Sequence, residues 1–206
     1  MKCKSELRRA VLTRRDALPS AERLRRSQAA AERFLSLPEF LRAQVVMLFV
    51  SFGSEIETRP IITAALAQGK RVVAPRADPR RRALTPCEVG DPERDLAPGA
   101  HGIDEPRPHC PCVDLSEIDV VAVPAVAWSE DGYRLGYGGG YYDRFLPEVG
   151  GALAVGLGLE LQVVPGLPRG AHDQPVDMLV TEARVRRFRR RARAGAPADQ
   201  AQIREK

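Results

Sequence analysis

The spacing of apolar residues changes partway along this chain, and the change separates helical from sheet-forming stretches. Over residues 4–16, Leu7, Val11 and Leu12 fall on one face of a helix. Lys4 and Arg8, four apart, share a neighbouring face and are expected to point together at one anion. A second helix is predicted from Ser20, a candidate N-cap, to about Ser36, with Leu24, Ala31, Phe34 and Leu35 as its apolar stripe. From residue 44 the apolar run is continuous and rich in branched side chains. Residues 44–50 and 119–124 read as buried strands, and 71–75, 152–157 and 176–181 as further strands of the same sheet. A helix capped by Thr58, with Pro60 in its first turn, follows the first of them and runs to Ala67. One further strand is expected near residues 83–88, within a proline- and charge-rich region.

Strands alternating with helices predict an α/β fold: a three-layer, Rossmann-like open sheet, mostly parallel, with helices on both faces. Ligands of such sheets sit beyond the carboxyl ends of the strands. That places three loops in one crevice: 51–58, 124–143 and 158–175. At 206 residues one domain is the default, expected over residues 1–183.

Composition narrows the function. No apolar run approaches a membrane span, and the amino end is charged with no secretory core, so a cytoplasmic protein without membrane association is expected. Arginines 184, 186, 187, 189, 190, 191 and 193 supply seven positive charges, and without them the net charge falls from +5 to −2. Residues 184–206 therefore read as a basic, disordered tail. Such a tail could meet polyanions, but only Phe188 accompanies it as a stacking aromatic, so no specific nucleic acid is expected. His109-Cys110-Pro111-Cys112, with Cys87, offers zinc-ligand residue types. The Cys-Pro-Cys spacing lacks the two-residue gap of a zinc knuckle, and reduced loop cysteines are the reading taken.

The chemistry concentrates in residues 132–144. Gly136, Gly138, Gly139 and Gly140 fall within five residues, after Arg134 and before Tyr141, Tyr142 and Asp143. Glycines let backbone amides turn inward as an anion site, and the helix predicted to start at Tyr141 adds its positive end. Arg134 brings a planar donor fork, and Asp143 an oxygen suited to a hard cation. Neither a P-loop nor a dinucleotide fingerprint matches. Asp173, after His172, is a candidate second oxygen ligand for the same ion. In loop 51–58 a carboxylate could bind the N–H edge of a heterocycle while Phe52 packs on its face. Glu55 reads equally well there as a carboxylate answering a helix dipole. No nucleophile–base pair stands out, and the equipment suits phosphoryl transfer, which runs mainly on alignment and charge. The residues alone point to a magnesium-nucleotide enzyme. A sugar-phosphate protein on a related fold and an RNA-binding protein acting through the tail are the rivals.

In four blocks the chain resembles the 5-formyltetrahydrofolate cyclo-ligase (5,10-methenyltetrahydrofolate synthetase) family. They are Lys4-Ser5-Glu6-Leu7-Arg8, Ser51 through Thr58, Arg134 through Asp143, and His172-Asp173 with Val180-Thr181-Glu182. The resemblance implies ATP- and Mg²⁺-dependent conversion of 5-formyltetrahydrofolate to 5,10-methenyltetrahydrofolate, through a phosphorylated formyl group. Carried over by position, it implies that Lys4, Arg8, Arg134, Leu135, Gly136, Tyr137, Gly138, Gly139, Gly140, Tyr141 and Tyr142 contact ATP. Arg134 and Tyr142 would serve catalysis. Asp143 and Asp173 would hold the metal, and Arg8, Phe52, Glu57, Tyr137 and Tyr141 would contact the folate. A monomer is expected. Trp128-Ser129 departs from the Phe-Asp common in the family and puts any role of that aspartate in doubt.

Overall fold

Consecutive apolar residues can be buried in a strand only when both faces of the sheet are covered, and the chain meets that requirement with three layers. The computed structural model describes residues 3–99 and 102–188. Helices α1 (Lys4–Asp16), α2 (Ser20–Leu35) and α3 (Pro38–Arg42) precede β1 (Val45–Met47). The chain continues through α4 (Arg59–Ala67), β2 (Arg71–Asp78), β3 (Ala83–Glu88), α5 (Pro92–Asp95), β4 (Leu96–Pro98) and β5 (Asp104–Pro106). Then come β6 (Val120–Val123), β7 (Ala127–Ser129), β8 (Arg134–Leu135), α6 (Tyr141–Glu148), β9 (Leu153–Leu157), β10 (Val163–Val164), β11 (Met178–Val180) and β12 (Val185–Arg187).

The central sheet has the order β12-β11-β9-β6-β1-β2-β3. Its five inner strands are parallel, and β3 and β12 close the two edges antiparallel. Side chains alternate between two cores as the pleat requires. Val46, Val120 and Ala122 meet Phe34, Phe40, Ile61 and Ile62 from α2, α3 and α4. Val45, Met47, Val121 and Val123 meet Trp128, the α6 residues Phe145 and Leu146, and Val149 just after α6, on the opposite face. Helix α1 belongs to neither layer. Its Val11 packs with Val126, Ala127 and Leu135 against a small second sheet, β10-β7-β8.

The expected helices and strands are present with two local differences. Ser20 is the first residue of α2 and Pro19 takes the cap position without a side-chain bond. Leu24 is half exposed, and the α2 face that packs inward is Ser27, Ala30, Ala31 and Phe34. Among the parallel strands, β1 lies between β2 and β6, so the chain direction across the sheet reverses there. Loops leaving the carboxyl ends of β1 and β6 diverge from that point and open a crevice. No helix among the described residues is long and apolar enough to cross a membrane.

The folded domain extends past the expected boundary at 183/184. Strand β12 pairs with β11, and Phe188 donates its amide to the Asp177 carbonyl at 2.9 Å. Arg186 grips Glu160 through both nitrogens, at 2.9 and 2.6 Å, and Arg187 bonds Glu39 at 2.5 Å. Arg186, followed by Thr181, outweighs burial and holds the Glu160 carboxyl down at about 2. Arg184, Arg186 and Arg187 are thus structural. Arginines 189, 190, 191 and 193 of the expected tail lie outside the described residues.

Ending the chain after Ala183 should lower stability in urea unfolding by about 2–4 kcal/mol, because an inner parallel strand becomes an edge and two carboxylates lose their partners. A chain ending after Phe188 keeps these contacts and is the control. Equal stability of the two would remove β12 from the fold.

Candidate active site

The crevice loops are fixed before any ligand arrives. Residues 51–58 are pinched at their base, where the Ser51 amide donates to Thr58 Oγ1 at 2.9 Å and the Thr58 amide to Ser51 Oγ at 3.1 Å. Inside that loop the Glu55 amide donates to the Phe52 carbonyl at 3.2 Å, and the Phe52 amide to Glu55 Oε2 at 3.3 Å. The turn aims the Glu55 carboxylate inward and leaves the Phe52 ring half-buried at the crevice.

Strand β8 carries the other wall. Arg134 is buried, and its Nη2 bonds Asp143 Oδ1 at 2.7 Å while Nη1 donates to the Gln174 carbonyl. The Gln174 amide returns to Asp143 Oδ1 at 3.1 Å. One guanidinium therefore ties the start of α6 to the 158–175 loop. Asp173, next in sequence, accepts Lys4 Nζ at 2.6 Å and the Gly170 amide at 2.7 Å. Burial opposes its ionisation, but Lys4, Gly170 and Arg134 outweigh it and hold the carboxyl below its usual range. Of the two expected metal ligands, Asp143 thus accepts the Gln174 amide and Asp173 is the residue before Gln174, and each is paired with a cation.

Between these carboxylates and Phe52 runs the glycine loop. Gly138 and Gly140 take φ of +114° and +69°, values that exclude other residues without strain, and Gly140 caps α6. Loop carbonyls are taken by arginines: Arg8 Nε bonds the Gly136 oxygen at 2.8 Å, and Arg144 Nη1 bonds those of Gly139 and Gly140 at 3.0 Å. The first amides of α6, at Tyr141 and Tyr142, have no acceptor within the helix. Lys4 and Arg8 do not converge on one point as expected, since each has its own partner on a different loop.

Tyr137 joins the phosphate-type lobe to the aromatic one. Its ring packs on Phe52 with centroids 5.1 Å apart. Its hydroxyl donates to Glu55 Oε1 at 3.2 Å and accepts Arg15 Nη2 at 2.7 Å. Arg15 Nε also bonds Ser54 Oγ at 2.9 Å, and Ser54 in turn donates to Asp16. Arg15 is 2% exposed, and its Nη1 is buried with no hydrogen-bond partner among the described residues. Glu55 is 5% exposed, and burial, against the pull of Arg15, pushes its carboxyl up to about 7. The Tyr142 hydroxyl is buried without a partner among the described residues, and burial, then Glu55, pushes it far above the ordinary phenol range, so it stays protonated.

Glu57 is elsewhere. It lines a groove of about 220 Å³ between α2 and α4 with Leu24, Gln28 and Pro60. Glu55 holds the position beside Phe52 that the sequence reading gave to Glu57. Arg15 and Gln174 join the hydrogen bonds around the crevice, although no sequence motif marks either. For Arg15 a signal existed, because Lys4, Arg8 and Arg15 at i, i+4 and i+11 lie on one side of α1. At the departure from the family pattern, Trp128 is fully buried and Ser129 Oγ bonds Asp131 at 2.7 Å, closing the turn from β7 to β8.

The family model described as the 5-formyltetrahydrofolate cyclo-ligase family matches residues 1–182. The chain belongs to that family. A 5-formyltetrahydrofolate cyclo-ligase of Escherichia coli is 34% identical over 185 residues, covering 85% of this chain and 98% of the relative. One from Haemophilus influenzae is 30% identical, covering 86% and 97%. The solved 5,10-methenyltetrahydrofolate synthetase of Aquifex aeolicus superposes with a TM-score of 0.80 at 38% identity, over 98% of this chain and 99% of that one. A Mycoplasma pneumoniae structure at 19% identity and a TM-score of 0.71 shares the fold. Membership makes the chain an enzyme of folate one-carbon chemistry, a ligase whose family acts on small folate substrates.

Glu55 also makes a prediction about pH. Its carboxyl sits near 7 in the fold against 4.5 in a free chain, so between those values the folded state holds a proton that the unfolded state releases. Stability from this group is complete below the lower value and is lost as pH rises through the higher one. The stability of the protein relative to Glu55→Gln should therefore fall by on the order of 3 kcal/mol between pH 4.5 and 8. Parallel stability curves would show a solvated carboxylate.

Proposed function

We propose that this chain converts 5-formyltetrahydrofolate to 5,10-methenyltetrahydrofolate with ATP and Mg²⁺, releasing ADP and phosphate. The observation that carries this reading is the juxtaposition of Arg134, Asp143 and Asp173 beneath the glycine loop, one tyrosine away from Phe52 and Glu55. Two carboxylates linked through Gln174, one accepting its amide and the other on the residue before it, suit a hard cation that prefers oxygen ligands. Their present partners, Arg134 and Lys4, are side chains that phosphate oxygens would accept in exchange. Bound there, Mg²⁺ would neutralise charge on the phosphates of ATP.

Every other step falls to the chain itself. The amides of residues 136–142 and the side chains of Lys4 and Arg8 hold the triphosphate. Arg134, freed of Asp143, stabilises charge on the transferred phosphoryl group, and the protonated Tyr142 hydroxyl donates into the same region. The formyl oxygen attacks the γ-phosphate and ADP leaves. Phosphorylation turns the poor leaving oxygen into a good one, so that N10 of the folate closes on the activated carbon, gives up its proton, and phosphate departs. Phe52, Tyr137 and Tyr141 pack on the folate ring. Glu55, bonded beside Phe52 and Tyr137, accepts the ring's N–H edge in place of Glu57, which lines the groove between α2 and α4. Burial of Glu55 favours this use, because a ligand that brings paired N–H donors restores what desolvation took from the carboxylate.

In an ATP-dependent assay of methenyl product absorbance, Asp143→Asn should lower turnover by about a hundredfold and raise the magnesium needed for half-maximal rate. Unchanged magnesium dependence would take Asp143 out of the site. Glu55→Gln should raise the KM for folate by about tenfold with little change for ATP, while Glu57→Gln changes neither by more than about threefold. The reverse ordering would return the folate contact to Glu57.

A further inference from the structure

We propose that Cys87 and Cys112 form a dithiol site that a low-molecular-weight disulfide oxidises to an intramolecular disulfide. Cys87 lies on β3, and Cys112 stands opposite it in an isolated antiparallel bridge. The Glu88 amide donates to the Pro111 carbonyl at 2.9 Å, and the Val113 amide to the Pro86 carbonyl at 3.0 Å. Those bonds flank the pair, so residues 87 and 112 face each other at a position without mutual hydrogen bonds. There α-carbons approach to about 4.5 Å and side chains leave on the same face. A disulfide needs α-carbons roughly 4.4–6.8 Å apart. Both thiols are free, and each acts directly on the other.

Their surroundings assign an order to the chemistry. Cys112 is exposed, and Arg76 Nη2 donates to its sulfur at 3.6 Å while Nη1 is anchored on the Arg107 carbonyl at 3.3 Å. An exposed sulfur is open to the reagent, and the guanidinium beside it attracts the carboxylates of an anionic disulfide such as glutathione disulfide. Cys87 is fully buried, and burial pushes its thiol up to about 12. Cys112 therefore reacts first. Its thiolate, having lost its proton to solvent, attacks one sulfur of the reagent RSSR and expels RS⁻, leaving Cys112–S–SR. Cys87 then loses its proton as its sulfur attacks the Cys112 sulfur, and the second RS group leaves and takes up a proton as RSH. Two protein thiols are oxidised and one reagent disulfide is reduced to two thiols. Cys110 is not a competing partner, because its buried thiol donates to the Asp95 carbonyl at 3.5 Å. Cys3 lies at the start of α1, on another part of the molecule. The bond would pin both ends of the excursion that holds α5, β4 and β5.

The test incubates the full chain with glutathione disulfide, quenches it in acid, and maps unreduced peptides by tandem mass spectrometry. The wild type should yield a Cys87–Cys112 cross-link lighter by two hydrogens, with no lasting glutathione on either residue. Cys87→Ser should hold a stable glutathione adduct on Cys112, and Cys112→Ser should leave Cys87 unmodified. Cys110→Ser should still form the cross-link, and Arg76→Gln should slow the first step severalfold. A wild-type product with glutathione retained on Cys112, or a cross-link running through Cys110 or Cys3, would overturn the proposal. So would a Cys87→Ser chain whose Cys112 does not react.

Discussion

The buried Arg134 guanidinium is the interaction on which the rest of the site depends. It reaches the Asp143 carboxylate at the start of α6 and the Gln174 carbonyl in the loop before β11. Removing Asp143 would leave a buried guanidinium with its desolvation penalty and without this charge partner, although the carboxylate itself is only partly buried. The fold therefore holds the glycine loop, the α6 start and Asp173 in one place through a group that also suits phosphate. The same strand, β8, pairs with β7, whose Trp128 fills the core beneath α6. Packing of the core and placement of the guanidinium are consequently one problem, solved by a strand of two residues.

The two lobes of the crevice use opposite electrostatics. On one side every carboxylate already has a cation, Asp143 with Arg134 and Asp173 with Lys4. Proposed loading with nucleotide exchanges those partners rather than creating charge, so little net desolvation is added. On the other side Glu55 is desolvated and held near 7, while Arg15 keeps one buried nitrogen without an acceptor among the described residues. Tyr137 touches both members of that pair and belongs to the glycine loop, so the lobes communicate through one phenol.

Much of this was legible in the order of residues, and what was not has physical reasons. Strands buried on both faces announce themselves as unbroken apolar runs, and residues 44–50 and 119–124 are of that kind. Strands β7, β8, β10 and β12 have two or three residues each, too few for any period to register. Arg186 and Arg187 read as surface charge because their partners, Glu160 and Glu39, lie far away in sequence. Glu55 and Glu57 are alike in type and two apart. Only the hydrogen bonds between Phe52 and Glu55 decide which one turns inward. The glycine loop was readable because positive φ restricts residue choice so strongly, whereas Arg15 required its alignment with Lys4 and Arg8 along α1 to be noticed.

The central claim is that Asp143 and Asp173 give up their side-chain cations to a metal ion shared with the triphosphate. A crystal structure with a non-hydrolysable ATP analogue and Mg²⁺ tests it most directly. The account predicts one ion bound by oxygens of both aspartates, with Lys4 and Arg134 turned onto phosphate oxygens and the analogue lying along residues 136–142. An analogue bound while the Lys4–Asp173 and Arg134–Asp143 pairs remain intact, with the ion elsewhere, would contradict it.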